Sequence, residues 1–396
     1  MVEWKKLEDF GNYFGGLTGK TKEDFVEGNA KFITYMNVFA NPALDVSTTG
    51  VVRINEGEKQ NKIQKGDILF TGSSETPDEA GMSCVVTDDL NEDYYMNSFC
   101  FGIRLNQPEQ YKLGYLKHIL RSSSIRKEIA KSASGVTRFN ISKARFGKIL
   151  IPLPSLSEQE RIVGILDTFT SSIENLKAQI SLRRKQYEHY RDKLLDLEGK
   201  PGVEMKTLGE ICNFIRGPFG GALKKEIFVN EGYAIYEQQH AIYGEWSFRY
   251  FIDEKKFSEM KRFEVKPGDI LMSCSGTMGK TSIVPSNCIK GIINQALLKL
   301  TTRDILDNKF LKKYMDSQWF QDGLKKQVAG GAIQNVASVS ILKDLIIPLP
   351  SPKEQSRIVS ILDEFEASIK NLEAQLEARE KQYEYYREKL LTFERE

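Results

Sequence analysis

One stretch of this 396-residue chain is written twice. Residues 151–195 and 347–391 align without a gap at an offset of 196, and 30 of the 45 pairs are identical. Each copy opens Ile-Pro-Leu-Pro-Ser, passes through Glu-Gln and Arg-Ile-Val, and closes on Lys-Gln-Tyr-Glu, Tyr-Arg and Lys-Leu-Leu. The order along the chain is domain, repeat, domain, repeat. Two copies are fewer than the roughly three units a solenoid needs to bury a continuous core. What remains is a paired arrangement with an approximate internal two-fold axis.

Each copy reads as a long helix. Apolar positions step by four and three through Ile162, Leu166, Phe169, Ile173, Leu176, Ile180, then Arg183, then Tyr187, Tyr190 and Leu194. The second copy runs Ile358, Leu362, Phe365, Ile369, Leu372, Leu376, then Arg379, then Tyr383, Tyr386 and Leu390. This is a heptad stripe, the seam of a coiled coil. Ser155 with Glu158, and Ser351 with Glu354, have capping-box spacing, and Pro352 stands at the favoured first helical position. The preceding Pro-Leu-Pro blocks backward extension. Gly199, Pro201 and Gly202 end the first helix.

At 1.5 Å per residue, about 40 residues make a helix about 60 Å long. Each stripe needs a partner, and the other copy supplies it. The short Gly-Lys-Pro-Gly link starts the second domain where the first helix ends, and by the internal symmetry the first domain belongs at the far end of the second helix. Only an antiparallel pair satisfies both, giving a rod with a domain at each end. Arg183 and Arg379 share one slot of the stripe. Either they are polar seam residues that fix register, or they snorkel outward from the seam edge.

The segments 1–150 and 200–346 share an outline rather than a sequence. Val2-Glu3-Trp4-Lys5 and Val203-Glu204-Met205-Lys206 open the halves, and Gly66-Asp67-Ile68-Leu69 recurs as Gly268-Asp269-Ile270-Leu271, a turn feeding a strand. Gly135 and Gly331 each stand 16 residues before Ile-Pro-Leu-Pro. Short β runs (148–153, 292–299, 342–349) mix with helical runs (111–131, 307–327), so the fold class is α+β. The organisation expected is a mixed domain over 1–150, a spacer helix over 151–199, a second mixed domain over 200–346 and a second spacer helix over 347–396.

Apolar content of 40% supports real cores, and a net charge of +2 permits local basic patches without demanding them. The five cysteines form no C-x-x-C pair and read as reduced thiols. No apolar run approaches the roughly 18 residues of a membrane span, and the N-terminus has no signal-peptide core. The expectation is a cytoplasmic protein.

Polar side chains cluster around the anchors. Ser73 and Ser74 follow the first Gly-Asp-Ile-Leu, and Ser275, Thr277 and Lys280 follow the second. Arg138, Asn140 and Lys143 near the end of the first domain match Gln334 and Asn335 in the second, while Gln238, Gln239 and His240 have no counterpart. Arg, Lys, Asn and Gln pair bidentately with base edges, and Ser and Thr serve phosphates or bases. These residues are the DNA-contact candidates. Equally, polar loops can simply be solvated.

Catalytic signatures are missing. Cys274 to Thr281 comes near a P-loop, but Cys274 replaces its first glycine, and Thr-Ser-Ile-Val-Pro-Ser after it reads as strand and turn. The three histidines are scattered, with no metal-binding spacing, no nucleophile elbow and no dinucleotide fingerprint.

The paired Ile-Pro-Leu-Pro-Ser-x-x-Glu-Gln-x-Arg-Ile-Val-x-Ile-Leu-Asp blocks with their long helices, and the two Gly-Asp-Ile-Leu segments, resemble the DNA specificity subunits of type I restriction-modification systems. The resemblance spans the whole chain. It implies two target-recognition domains separated by two long antiparallel coiled-coil helices. Each domain would read one half of a bipartite, asymmetric site in double-stranded DNA. The helices would set the spacing and dock two methyltransferase subunits, and motor subunits with nuclease activity would join that core. S-adenosylmethionine, ATP and magnesium would belong to the partners, leaving this chain with no cofactor, no metal and no catalysis of its own. The family's base-reading residues differ between members, so no base contact carries over by motif. Two other readings stay open: a coiled-coil adaptor without DNA readout, and a nucleotide-binding enzyme using Cys274 to Thr281.

Overall fold

The computed structural model describes residues 2–219, 221–274, 279–328 and 339–394. The chain forms two compact units, one of residues 1–177 with 374–396, the other of residues 178–373. Each long helix is divided between them: Leu156–Leu195 and Pro352–Leu391, 40 residues apiece.

In the first unit, Glu3–Lys6 pairs antiparallel with Leu150–Leu153, so the opening and closing segments of the domain lie side by side. A four-stranded antiparallel sheet follows, ordered 11–15, 100–105, 68–71, 83–85. A three-stranded mixed sheet sets Ala30–Ile33 between Gly50–Val52 and Tyr94–Met96. The expected helical run over 111–131 is two helices, Leu113–Ile119 and Ser123–Ser132, the second capped by the Ser122 hydroxyl. The second unit repeats the plan. Glu204–Thr207 pairs with Ile346–Leu349, a four-stranded sheet runs 212–216, 297–302, 270–273, 281–283, and helices Asn308–Met315 and Gln318–Val328 occupy the matching place. Two expected β runs were too long. Residues 292–299 hold the end of one strand and the start of another, and 342–349 begins inside a short helix, Val339–Asp344.

The repeated motif closes each domain onto its helix. Gln159 is buried; its Nε2 donates to the Pro154 carbonyl at 2.9 Å, and its Oε1 accepts from the Lys112 amide at 3.0 Å. Gln355 does the same with the Pro350 carbonyl and the Asp307 amide, at 2.9 and 2.8 Å, and adds the Ile305 carbonyl at 3.0 Å. Ser155 and Ser351 do cap their helices, each accepting from the amide three residues on. The reciprocal half of the capping box is replaced: Glu158 and Glu354 instead make forked ion pairs with Arg161 and Arg357, both within one helical turn.

Both units contain an antiparallel helix pair. The core of the first takes the root of one helix (Ile162, Leu166) and the tip of the other (Leu391). The core of the second takes Ile358 and Leu362 with Leu195. Phe169 stacks on Tyr386 at 5.3 Å in the first unit, and Tyr190 on Phe365 at 5.4 Å in the second. Ile173 and Ile180 are buried, while Leu176, Ile369 and Leu372 are half-buried. The two stripe arginines do not leave the seam. Arg183 lies over the Phe365 ring and Arg379 over Phe169, at 5.7 and 5.6 Å, each also bonded to the glutamine three residues on. Stacking on an apolar ring keeps the guanidinium charge partly solvated while its stem fills the seam.

Candidate nucleic-acid interface

The domain frame is rigid around the repeated Gly-Asp-Ile-Leu. Gly66 and Gly268 adopt φ of 90° and 86°, a left-handed turn open to glycine. The aspartates behind them are buried: Asp67 binds Arg104 through two hydrogen bonds of 2.9 and 2.7 Å, and Asp269 meets Lys299 at 3.4 Å. These pairs fix the strand that carries the next loop.

In the first unit that strand delivers Ser73–Ser74 to a small sheet. Phe139 and Asn140 pair with Ser74 and Ser73, and Ala133–Ser134 forms the outer strand. The candidates Ser73, Ser74, Arg138 and Asn140 are thereby brought together from 65 residues apart, with Lys143 just beyond on a short helix. Ser73 is buried and Ser74 half-buried, whereas Arg138, Asn140 and Lys143 are exposed. The Arg138 Nε donates to the Ser73 hydroxyl at 3.0 Å, and its guanidinium lies 4.9 Å from the centre of the Phe99 ring. The Tyr35 hydroxyl donates to the Ser73 carbonyl at 2.7 Å. Ser74 and Thr76 hydroxyls both donate to the Glu79 carboxylate, at 3.2 and 3.0 Å.

These groups wall a cleft of about 490 Å³ between the helix Tyr35–Ala40 and the small sheet. The lining mixes apolar side chains, Tyr35, Phe39 and the exposed Met36 and Phe99, with Arg138, Ser74 and two glutamates. Sequence reasoning missed Tyr35, Met36 and Phe99, because a six-residue helix and a lone residue in a turn are too short to carry a periodic signal. A half-apolar, half-polar concavity with a preset guanidinium suits flat, hydrogen-bonding ligands.

In the second unit only four of the candidates lie among the described residues. Gln238, Gln239 and His240 start the helix Gln238–Tyr243, with the glutamines half-buried. His240 is a correction. It is fully buried, its Nδ1 accepts from the Glu237 amide at 2.8 Å, its Nε2 sits 2.9 Å from the Ser247 carbonyl, and Phe248 and Trp246 stack on it. An imidazole with both nitrogens satisfied inside the core reads no base. Lys280 is exposed, while Ser275, Thr277, Gln334 and Asn335 lie outside the described residues. Thr281–Ile283 continues as a strand against Ile270–Met272, so no helix N-terminus follows the near P-loop. A smaller cleft of about 200 Å³ is lined by Phe219, Phe228, Tyr250, Asn294 and Gln295; Phe219 is 84% exposed.

Burial pushes the Cys84, Cys100 and Cys212 thiols up to about 12, so they are inert as nucleophiles. Among the described residues no three His, Cys, Asp or Glu side chains are grouped to hold a metal, and no helix is long and apolar enough to cross a membrane.

Comparison with known proteins follows the same lines. The profile of the family described as type I restriction modification DNA specificity domain matches the chain twice, over residues 1–183 and 201–379. A putative type I restriction enzyme specificity subunit of Haemophilus influenzae is 33% identical over 314 residues, covering 73% of this chain and 74% of that protein. Two solved structures share the fold. The S subunit of a type I restriction-modification system from M. genitalium superposes with a TM-score of 0.57 at 17% identity, covering 100% of this chain and 97% of that one. A chain from a structure described as underlying complex assembly and conformational transition of the type I system reaches 0.65 at 19% identity, covering 98% and 97%.

Proposed function

Because the chain belongs to the type I restriction-modification DNA specificity family, we propose that each of its two domains reads one half of a bipartite, asymmetric duplex site. The helices set the distance between the half-sites and carry methyltransferase subunits, to which motor and nuclease subunits add. The chain supplies recognition; methyl transfer and ATP hydrolysis, with S-adenosylmethionine, ATP and magnesium, belong to the partners. The observation that carries this reading is one frame built twice with unlike contents. The edge pairing, the buried aspartates and the glutamine clasps recur, while the segments they hold differ in length and residue type. Equal frames with unequal loops make two readers of different words. An adaptor built for helix pairing alone leaves the cleft beside Arg138 without a role.

Polar loops reach base edges while basic residues meet phosphate. In the first unit the exposed Arg138, Asn140 and Lys143 are grouped to do both. The test is exchange of residues 203–346 for the equivalent domain of a relative, read by methylome sequencing of cells that carry the chain with its methyltransferase. One half of the methylated site changes; the other half and the spacer stay. A swap that rewrites both halves refutes modular reading. Methyl transfer by the isolated chain, freed of partner subunits, refutes the division of labour.

A further inference from the structure

The loop that leaves Gly-Asp-Ile-Leu is held by the same three-part device in both units. The flanking strands end at Thr71 and resume at Ser83 in the first unit, and end at Ser273 and resume at Thr281 in the second, so the sequence between them differs in length. At its base a hydroxyl closes it: Thr71 Oγ1 accepts from the Met82 amide at 2.9 Å, and Ser273 Oγ from the Lys280 amide at 3.1 Å. At its end stands a left-handed glycine, Gly81 at φ 65° and Gly279 at φ 81°, whose amides donate to the Thr71 and Ser273 carbonyls at 3.1 and 3.0 Å. A Cβ on either glycine would collide with a helix side chain, Ile129 or Leu324, at 2.6 and 2.7 Å.

The third part is a side chain of that same helix. Arg126, one turn before Ile129, donates to the carbonyls of Gly81, Asp78 and Ala80 at 2.6, 2.7 and 2.7 Å. Gln321, one turn before Leu324, donates to the Gly279 carbonyl at 3.1 Å and to Met315 at 2.7 Å. Two unrelated side chains at one structural position thus hold one carbonyl. Arg126 faces a cavity beside the long helices, shared with Arg121, Glu174 and Tyr383, and it is absent from the walls of the Arg138 cleft. What it holds is the turn bearing Glu79, which in turn gathers Ser74 and Thr76.

We propose that Arg126 is a positioning residue for half-site reading: through the carbonyls of residues 78, 80 and 81 it sets the shape in which Ser74, Thr76, Glu79 and Arg138 meet base edges. This rests on the two-reader function above. In the first unit three carbonyls are held, which a guanidinium fork reaches and an amide does not; in the second, among the described residues, Gln321 holds the carbonyl of Gly279.

The test uses the full chain with its methyltransferase in cells, read by methylome sequencing, for Arg126→Ala, Arg126→Gln and Arg126→Lys. The expected result is loss of sequence preference, at least tenfold at one or more positions, in the half-site that belongs to residues 1–150, with the other half and the spacer unchanged. The defect is largest for Ala, and Gln and Lys, neither of which holds all three carbonyls, fall between it and the original. An unchanged site in all three variants overturns the proposal. So does complete loss of methylation in all three, which assigns Arg126 to folding, and so does relaxation of both halves together. If the unsubstituted chain directs methylation to no bipartite site, the two-reader function fails, and that outcome is distinct from any effect at Arg126.

Discussion

Gln355→Ala tests the claim that the repeated Glu-Gln is a clasp between domain and helix. Gln355 is 1% exposed and holds three backbone groups. Removing its amide leaves the buried Pro350 carbonyl without a donor, which costs about 1–3 kcal/mol. Ile305 and Asp307 are exposed, so water replaces most of what their backbone groups lose. With the small cavity added, the expected cost is about 2–4 kcal/mol. A unit of this size shifts by about 2–4 °C per kcal/mol, so its unfolding temperature should fall by about 4–16 °C. Differential scanning calorimetry of the full chain reads this directly. Gln159→Ala leaves the buried Pro154 carbonyl and the half-buried Lys112 amide unpaired, so it should cost a similar amount and act on the other unit. A shift under about 2 °C for both Gln355→Ala and Gln159→Ala would show that the clasp is incidental.

Other outcomes follow from the same contacts. Burial pushes the His118 imidazole below its ordinary 6.5 despite its 2.6 Å bond to Asp167, so the folded state resists a proton that the unfolded chain accepts. Its contribution is therefore full above about pH 6.5 and is lost on acidification; His118→Gln should flatten the fall in unfolding temperature between about pH 7 and 5. For Asp167, burial pushes the carboxyl up, but His118 and Lys117 outweigh it and hold it at about 2, so its share persists until about pH 4. Gly81→Ala forces φ of 65° on a residue with a Cβ and presses it on Ile129, which should destabilise the chain by about 1–3 kcal/mol in urea unfolding. Tyr187→Phe removes a 2.7 Å bond to Glu366 and should cost about 0.5–1.5 kcal/mol. If Lys280 meets phosphate, Lys280→Ala weakens binding to all duplexes and lowers the salt slope by about one; a sequence-selective loss refutes that role.

The repeat, the helix bounds near 156 and 352, the antiparallel pairing and the matched outline of the two domains were all readable from residues alone. Their determinants are local: a seven-residue apolar period, prolines that forbid extension, glycines that permit φ above zero. For Arg183 and Arg379 the sequence left two outcomes open, and a phenylalanine on the opposite helix decides between them.

The candidate site divides in the same way. Ser73, Arg138, Asn140 and Lys143 were singled out as candidates by residue type near anchors, and pairing of 73–74 with 139–140 brings them near one another. Tyr35, Met36 and Phe99 reach the cleft only because strands far apart in sequence sit side by side. His240 shows the converse error: an imidazole in a polar run looks like a base reader until the carbonyl and aromatic rings that enclose it are known. Periodicity and turn chemistry act within a few residues, so the chain carries them in its own order. Which polar groups remain free to meet a ligand depends on hydrogen-bond partners tens of residues away, and only packing supplies those.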